Sequence, residues 1–160
     1  MKMRKLFADL IQAEMQQNKN IVVIAGDLGY KMWDKVKCSF PDRFINVGAA
    51  EQSMLGVAIG LALSKKIPIV YSITPFLLYR PFETIRNYVH HEKIPVKLIG
   101  GGRNKEYGDN GFSHWAEEDT KIMSIFTNIS AHWPKSNQEL KKLFEEMIVT
   151  PAPYYINLKR

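Results

Sequence analysis

Short, uninterrupted apolar runs alternate with helical patterns along the whole chain. Ile21-Val22-Val23-Ile24-Ala25, Ile67-Pro68-Ile69-Val70-Tyr71-Ser72 and Tyr154-Tyr155-Ile156-Asn157-Leu158 are rich in β-branched and aromatic residues and too short for helices. They lack the polar alternation of a half-exposed strand, so they predict strands buried on both faces. Phe44–Val47, Val96–Ile99 and Ser130–Trp133 complete the set. Between them, helical spacing predicts helices at about 3–17 (Leu6, Phe7, Leu10, Ile11, Met15), 33–40, 50–64, 74–91 and 117–125. In the fourth of these, Pro81 predicts a kink or a restart. The capping pattern Ser136-x-x-Glu139 opens a last helix, running to about Val149. Strands that alternate with helices imply right-handed crossovers. The expected fold is α/β: one doubly wound, mostly parallel sheet with helices on both faces, over residues 1–160 as a single domain.

Ligands on such sheets bind beyond the carboxyl ends of the strands. The segments to search are therefore 26–30, 47–52, 72–82 and 100–116. A chain of 160 residues can bury one sizeable core and has little room for a second domain. A hydrophobic fraction of 46% with 24% charged residues excludes a disordered or fibrous chain. No apolar run approaches the roughly 18–20 residues of a membrane span, so no membrane is expected as a partner. Asp9, Gln12 and Glu14 interrupt the N-terminal apolar stretch, which reads as an amphipathic helix rather than a signal peptide. Cys38 is the single cysteine, which excludes an intrachain disulfide; a reducing, cytoplasmic location is expected. The net charge of +6 is spread over scattered lysines and arginines, a solvated basic surface, and no nucleic acid is expected as a partner.

Three of the strand ends carry unusual residues. Val47-Gly48-Ala49-Ala50-Glu51-Gln52 sets a carboxylate at a strand-to-helix turn. Taken alone, Glu51 reads as an acidic residue complementing a helix dipole. Phe76, Tyr79 and Phe82 fall on one face of a helix, where an ordinary core stripe is the plain alternative. Ser113-His114 ends a polar loop that begins near Tyr107.

Together, GDLG at 26–29, INVGAAEQSMLGVAIGLAL at 45–63, PFLLYRPFETIRN at 75–87 and YGDNGFSHWAEED at 107–119 resemble the pyrimidine-binding domain of the transketolase family. Similar domains occur in deoxyxylulose-phosphate synthases and in β subunits of 2-oxoacid dehydrogenases. The resemblance extends from Arg4 to the closing YYINLKR. It implies thiamine diphosphate as cofactor, which carries the difficult carbon–carbon chemistry. Glu51 matches the family's catalytic glutamate, which hydrogen-bonds the aminopyrimidine N1′ so that the 4′-imino nitrogen can take the C2 proton. Phe76, Tyr79 and Phe82 match the pocket that receives the pyrimidine ring. His114 matches a catalytic histidine that reaches substrate oxygens, a task suited to imidazole. Asp27 resembles an acidic residue bordering the cofactor; Asp before a turn is the other reading. Arg4 matches, loosely, an arginine that binds the sugar phosphate, and a solvated terminal arginine is its alternative.

Several positions depart from the family pattern. Asn110 stands where many transketolases carry an Asp that contacts substrate hydroxyls. After the fourth strand, Gly100-Gly101-Gly102-Arg103 replaces a phosphate-binding His, with Arg103 as the candidate anion ligand. Trp115 replaces a Gln or His. The Gly-Asp-Gly segment that grips the diphosphate through Mg²⁺ is absent, since Gly26-Asp27 and Gly108-Asp109 continue with Leu and Asn. Hard cations need several oxygen ligands, so the Mg²⁺ ligands are expected on a partner chain and no metal ligand is assigned here. The expectation is one subunit of a split transketolase, paired with a separate diphosphate-binding subunit as an α2β2 heterotetramer in which this chain also self-associates. The substrate is expected to be a sugar or a sugar phosphate, and the basic surface suits an acidic partner. A synthase or 2-oxoacid dehydrogenase subunit, or a non-catalytic assembly module, are the alternatives.

Overall fold

The computed structural model describes residues 2–160. Six strands form one sheet: β1 (Ile21–Ala25), β2 (Phe44–Asn46), β3 (Ile67–Ile73), β4 (Lys97–Gly101), β5 (Ser130–His132) and β6 (Tyr154–Leu158). Their spatial order is β2-β1-β3-β4-β6-β5, and every pairing is parallel. The chain runs outward from β1 to β2, crosses back to β3 and then builds in the other direction. The order thus reverses between β1 and β3, where a crevice opens at the carboxyl ends.

The strand runs are continuously apolar because both faces are covered. In β1, Ile21, Val23 and Ala25 join one core with α1 (Met3–Gln17) and α7 (Asn137–Val149). Val22 and Ile24 point into a second core with α3 (Glu51–Leu63), α4 (Thr74–Tyr79) and α6 (Asp119–Ile125). Tyr154, Ile156 and Leu158 of β6 divide from Tyr155 in the same way. Between β1 and β2 lies the short α2 (Asp34–Ser39). At α7, the Ser136 hydroxyl accepts the Glu139 N–H at 3.1 Å while the Glu139 carboxylate accepts the Lys135 N–H at 2.7 Å, so the predicted cap forms.

The predicted helix over 74–91 is not continuous. It stops at Tyr79, restarts as α5 (Phe82–Thr84) and passes into a π-helical turn, Ile85–His91. Pro81 lies in the break, because it lacks an N–H and crowds the preceding turn. β4 extends through Gly100 and Gly101, where neighbouring side chains approach too closely for a Cβ. A Cβ at Gly101 would stand 2.5 Å from the Tyr71 hydroxyl. Among the described residues, no helix is long and apolar enough to cross a membrane.

Candidate active site

The turn before α3 is pinned by Asn46. Its side-chain oxygen accepts the N–H groups of Asp27 and Gly48, each at 3.0 Å. Gly48 takes φ +73, a conformation glycine adopts without a Cβ penalty. The chain then enters α3 with Glu51 facing inward, 2% exposed. The Glu51 Oε2 accepts from Arg80 Nη1 at 2.7 Å, and the Ser72 hydroxyl lies 3.4 Å from Oε1. Arg80 ends α4 and lays its guanidinium on the Phe76 ring, 3.8 Å from the centroid. Phe76 in turn meets the His114 ring edge-on at 5.0 Å. Glu51, Phe76 and His114, three of the residues selected from sequence, are therefore gathered at the crevice, with Arg80 between the first two.

His114 also lines a hollow of about 370 Å³ with Arg4, Tyr107, Asn110 and Arg160. Its Nδ1 is 3.0 Å from the Ser113 hydroxyl. Arg4 arrives from α1 and Arg160 from beyond β6, so distant segments bring two guanidinium groups to one cavity. Among the described residues, the buried Arg4 Nε has no hydrogen-bond partner. Arg160 lies over the Tyr107 ring at 4.7 Å and donates Nη1 to the Glu106 carbonyl at 3.0 Å. Burial pushes the Tyr107 phenol up to about 12, against the opposing pull of the Arg4 and Arg160 charges.

The three predicted rings meet different partners, and the break at Pro81 sets Phe82 apart from Phe76 and Tyr79, which both lie on α4. Tyr79 donates its hydroxyl to Glu118 at 3.0 Å and opens on a separate hollow of about 530 Å³ with Phe112 and Ile122. Burial raises its pKa, and the Glu118 carboxylate adds to the rise. Phe82 packs on Phe126 at 5.2 Å, against the second core. Asp27 is exposed, has φ +55 and borders a hollow of about 190 Å³ with Trp33 and Asn46.

Arg103, expected as an anion ligand, turns away from the Arg4 cavity. Its Nε donates to Asn157 Oδ1 at 3.0 Å and its Nη2 to the Asn157 carbonyl. Asn157 belongs to a buried polar cluster around Asp119. There the Asp119 Oδ2 accepts from Trp133 Nε1 at 2.6 Å, Asn157 Nδ2 at 2.7 Å and the Tyr155 hydroxyl at 3.2 Å. Asn157 also donates to Thr74 Oγ1, the first residue of α4, at 3.1 Å. The cluster thus braces the start of the helix that carries Phe76. Trp115 is tied back into its own loop by a 3.0 Å bond to the Gly108 carbonyl.

Sequence reasoning missed Arg80, Arg160 and Asn46. Arg80 left one readable signal, its position four residues after Phe76. Arg160 left none, since nothing local ties it to α1. Among the described residues, no group of three or more His, Cys, Asp or Glu side chains could hold a metal ion.

Comparisons with known proteins bear on the family and the fold. The family model for the transketolase pyrimidine binding domain matches residues 1–160. An apulose-4-phosphate transketolase subunit of Actinobacillus succinogenes is 37% identical over 119 residues, which cover 74% of this chain and 38% of that protein. The 6-deoxy-6-sulfo-D-fructose transketolase subunit of Clostridium sp. (strain MSTE9) is 30% identical over 159 residues, covering 99% of this chain and 49% of that protein. A solved structure, described as a split gene transketolase in an inactive beta4 tetramer, superimposes with a TM-score of 0.87 at 30% identity. It is matched over 100% of this chain and 52% of its own. The chain therefore spans about half the length, or less, of these relatives. With its fold, its buried strand-end glutamate and a family match along its length, the chain belongs to the transketolase pyrimidine-binding domain family.

Proposed function

We propose that this chain is one subunit of a thiamine diphosphate-dependent transketolase, transferring a two-carbon ketol unit between sugars or sugar phosphates. The observation that carries the reading is the buried Glu51 carboxylate beside the face of Phe76. An aminopyrimidine needs such a seat: an aromatic face to stack on and a carboxyl group at its edge that can exchange a proton with N1′. The guanidinium that lies there now is a flat polar group that stacks on Phe76 and meets Glu51 at its edge, which supports the fit. When bound, thiamine diphosphate supplies the electron sink for breaking and making a carbon–carbon bond next to a carbonyl.

The chain's own residues bind and orient. Glu51 holds the pyrimidine edge and manages a proton at N1′, while Phe76 fixes the ring plane. Tyr79, Phe82 and Asp27 meet Glu118, Phe126 and the Trp33 hollow instead, and no direct contact with the ring is proposed for them. His114 and Asn110 face the substrate's oxygen atoms from the loop, with His114 exchanging a proton with a hydroxyl. Arg4 and Arg160 supply two cations for an anionic group, which favours a phosphorylated sugar.

The diphosphate and its Mg²⁺ are proposed to be held by a separate diphosphate-binding subunit, in an α2β2 assembly that includes contacts between copies of this chain. Two features support a partner at α3. A Cβ at Gly56 or Gly60 would meet nothing within 4 Å. Val57 and Leu63 are 39% and 69% exposed on the same helix. The exposed Cys38 suits a reducing compartment, and the cytoplasm is the proposed location.

The test is Glu51→Gln in the reconstituted pair. Turnover should fall by about 10²–10⁴-fold, the usual contribution of a positioned proton-transfer group, with assembly unchanged by size-exclusion chromatography. Near-normal turnover would remove Glu51 from the reaction and the reading with it.

A further inference from the structure

Arg80 occupies the place that the proposed cofactor ring would need. It reaches back one helical turn to stack on Phe76 at 3.8 Å and donates Nη1 to Glu51 Oε2 at 2.7 Å. The Glu51 side chain is 1% exposed and that of Arg80 45%. A buried carboxylate without a cationic or hydrogen-bonding partner is costly. The Ser72 hydroxyl, at a long 3.4 Å, offers Glu51 a much weaker contact. Arg80 therefore supplies most of the compensation that lets Glu51 stay inside.

The guanidinium is planar and delocalised, stacks on aromatic faces and presents N–H donors along its edge. An aminopyrimidine is also planar, also stacks and also carries a polar edge. Both use the same two surfaces, the face of Phe76 and the oxygens of Glu51. At these distances no second planar group fits between Arg80 and either partner. Arg80 closes α4 immediately before the Pro81 break and its side chain is nearly half in solvent, so it can swing out without disturbing the core.

Resting on the reading of Glu51 and Phe76 as a pyrimidine seat, we propose that Arg80 is a placeholder. In the cofactor-free chain it fills the seat, pairs with Glu51 and shields the Phe76 face from water. It is displaced when the pyrimidine enters. Cofactor binding then includes the loss of an ion pair, and the seat is kept in shape while empty of cofactor.

The experiment is a ligand-observed NMR titration of the chain with 4-amino-5-hydroxymethyl-2-methylpyrimidine, the pyrimidine half of thiamine. Wild type, Arg80→Met, Arg80→Lys, Glu51→Gln and Phe76→Ala are compared. Arg80→Met should bind the pyrimidine about tenfold tighter than wild type, which is ~1.4 kcal/mol. Added salt should tighten binding to wild type by screening the half-exposed pair, and should leave Arg80→Met unchanged. Arg80→Lys, which keeps the charge but cannot stack as a plane, should lie between them. Glu51→Gln and Phe76→Ala should weaken binding.

If Arg80→Met binds no tighter than wild type while Glu51→Gln and Phe76→Ala still weaken binding, the seat stands and the placeholder is wrong. If Glu51→Gln and Phe76→Ala change nothing, or no variant binds, the seat reading fails and the placeholder falls with it. Should Arg80→Met prove unfolded by circular dichroism, Arg80→Lys and the salt series decide: no tightening in either overturns the proposal.

Discussion

Asp119 is the keystone of the polar cluster behind the candidate site, and Asp119→Ala should be costly. The residue is 5% exposed, and its Oδ2 accepts three hydrogen bonds, from Trp133, Asn157 and Tyr155. The three donors do not suffer equally. Asn157 keeps Thr74 Oγ1 and the Gly102 carbonyl as acceptors, whereas the Tyr155 hydroxyl keeps only the N–H that Asn157 donates to it at 3.2 Å and loses the acceptor of its own proton. Among the described residues, Trp133 Nε1 has no other acceptor, so it is orphaned, at about 1–3 kcal/mol. The two remaining bonds contribute about 0.5–1.5 kcal/mol each. Part of the total is returned because a carboxylate no longer has to be desolvated, which leaves a net loss of about 3 kcal/mol. For a domain of this size that lowers Tm by about 6–12 °C. Asp119→Asn keeps one acceptor oxygen and should lose only about a third as much. The assay is urea unfolding followed by tryptophan fluorescence and circular dichroism, with an unchanged m-value expected. A loss below ~1 kcal/mol in Asp119→Ala, or a larger loss in Asp119→Asn than in Asp119→Ala, would refute the bookkeeping.

Other outcomes follow from single features. Lys97 is buried, donates to the Thr150 and Ala152 carbonyls at 2.6 Å each, and burial pulls its pKa from 10.5 to about 8. Between those values the unfolded chain holds this proton and the folded chain does not, so stability rises with pH through the window. Lys97→Met should flatten that rise in urea midpoints, and an unaltered slope would contradict the assignment. Ser136→Ala removes the cap of α7 and should cost about 1 kcal/mol, read as a lower thermal midpoint; no change would mean that the cap is idle. In the reconstituted enzyme, Arg160→Ala should raise KM for a phosphorylated sugar about tenfold or more, the worth of one charge-assisted hydrogen bond, with kcat kept. An equal effect on an unphosphorylated sugar would argue against an anion site at Arg4 and Arg160.

Much of this architecture was legible before folding was considered. Strand positions, the two buried faces and the cap of α7 are local properties, set by side-chain period and by neighbours within four residues. Glu51 was legible through the resemblance carried by INVGAAEQ, since a carboxylate at a strand-to-helix turn reads, taken alone, as one that complements a helix dipole. The continuous helix that would carry Phe76, Tyr79 and Phe82 together is interrupted for a local reason as well: Pro81 lies between α4, which holds the first two, and α5, which opens with the third.

What stayed hidden was every relation between distant segments. Helical and strand periodicity place a residue on a face but do not say which other element meets that face. The insertion of β6 between β4 and β5 depends on sheet pairing, and it is this pairing that carries Arg160 to the cavity of Arg4 and turns Arg103 onto Asn157. The contact of Arg80 with Glu51 spans 29 positions, and it requires the crevice between β1 and β3 to bring α3 and α4 together. The sequence by itself therefore determined most of the elements, the two-faced sheet and the place of Glu51 at a strand end. Only the tertiary structure decided which cations stand beside which anions, because side-chain partners across a parallel sheet are chosen by strand order and register, which no local period encodes.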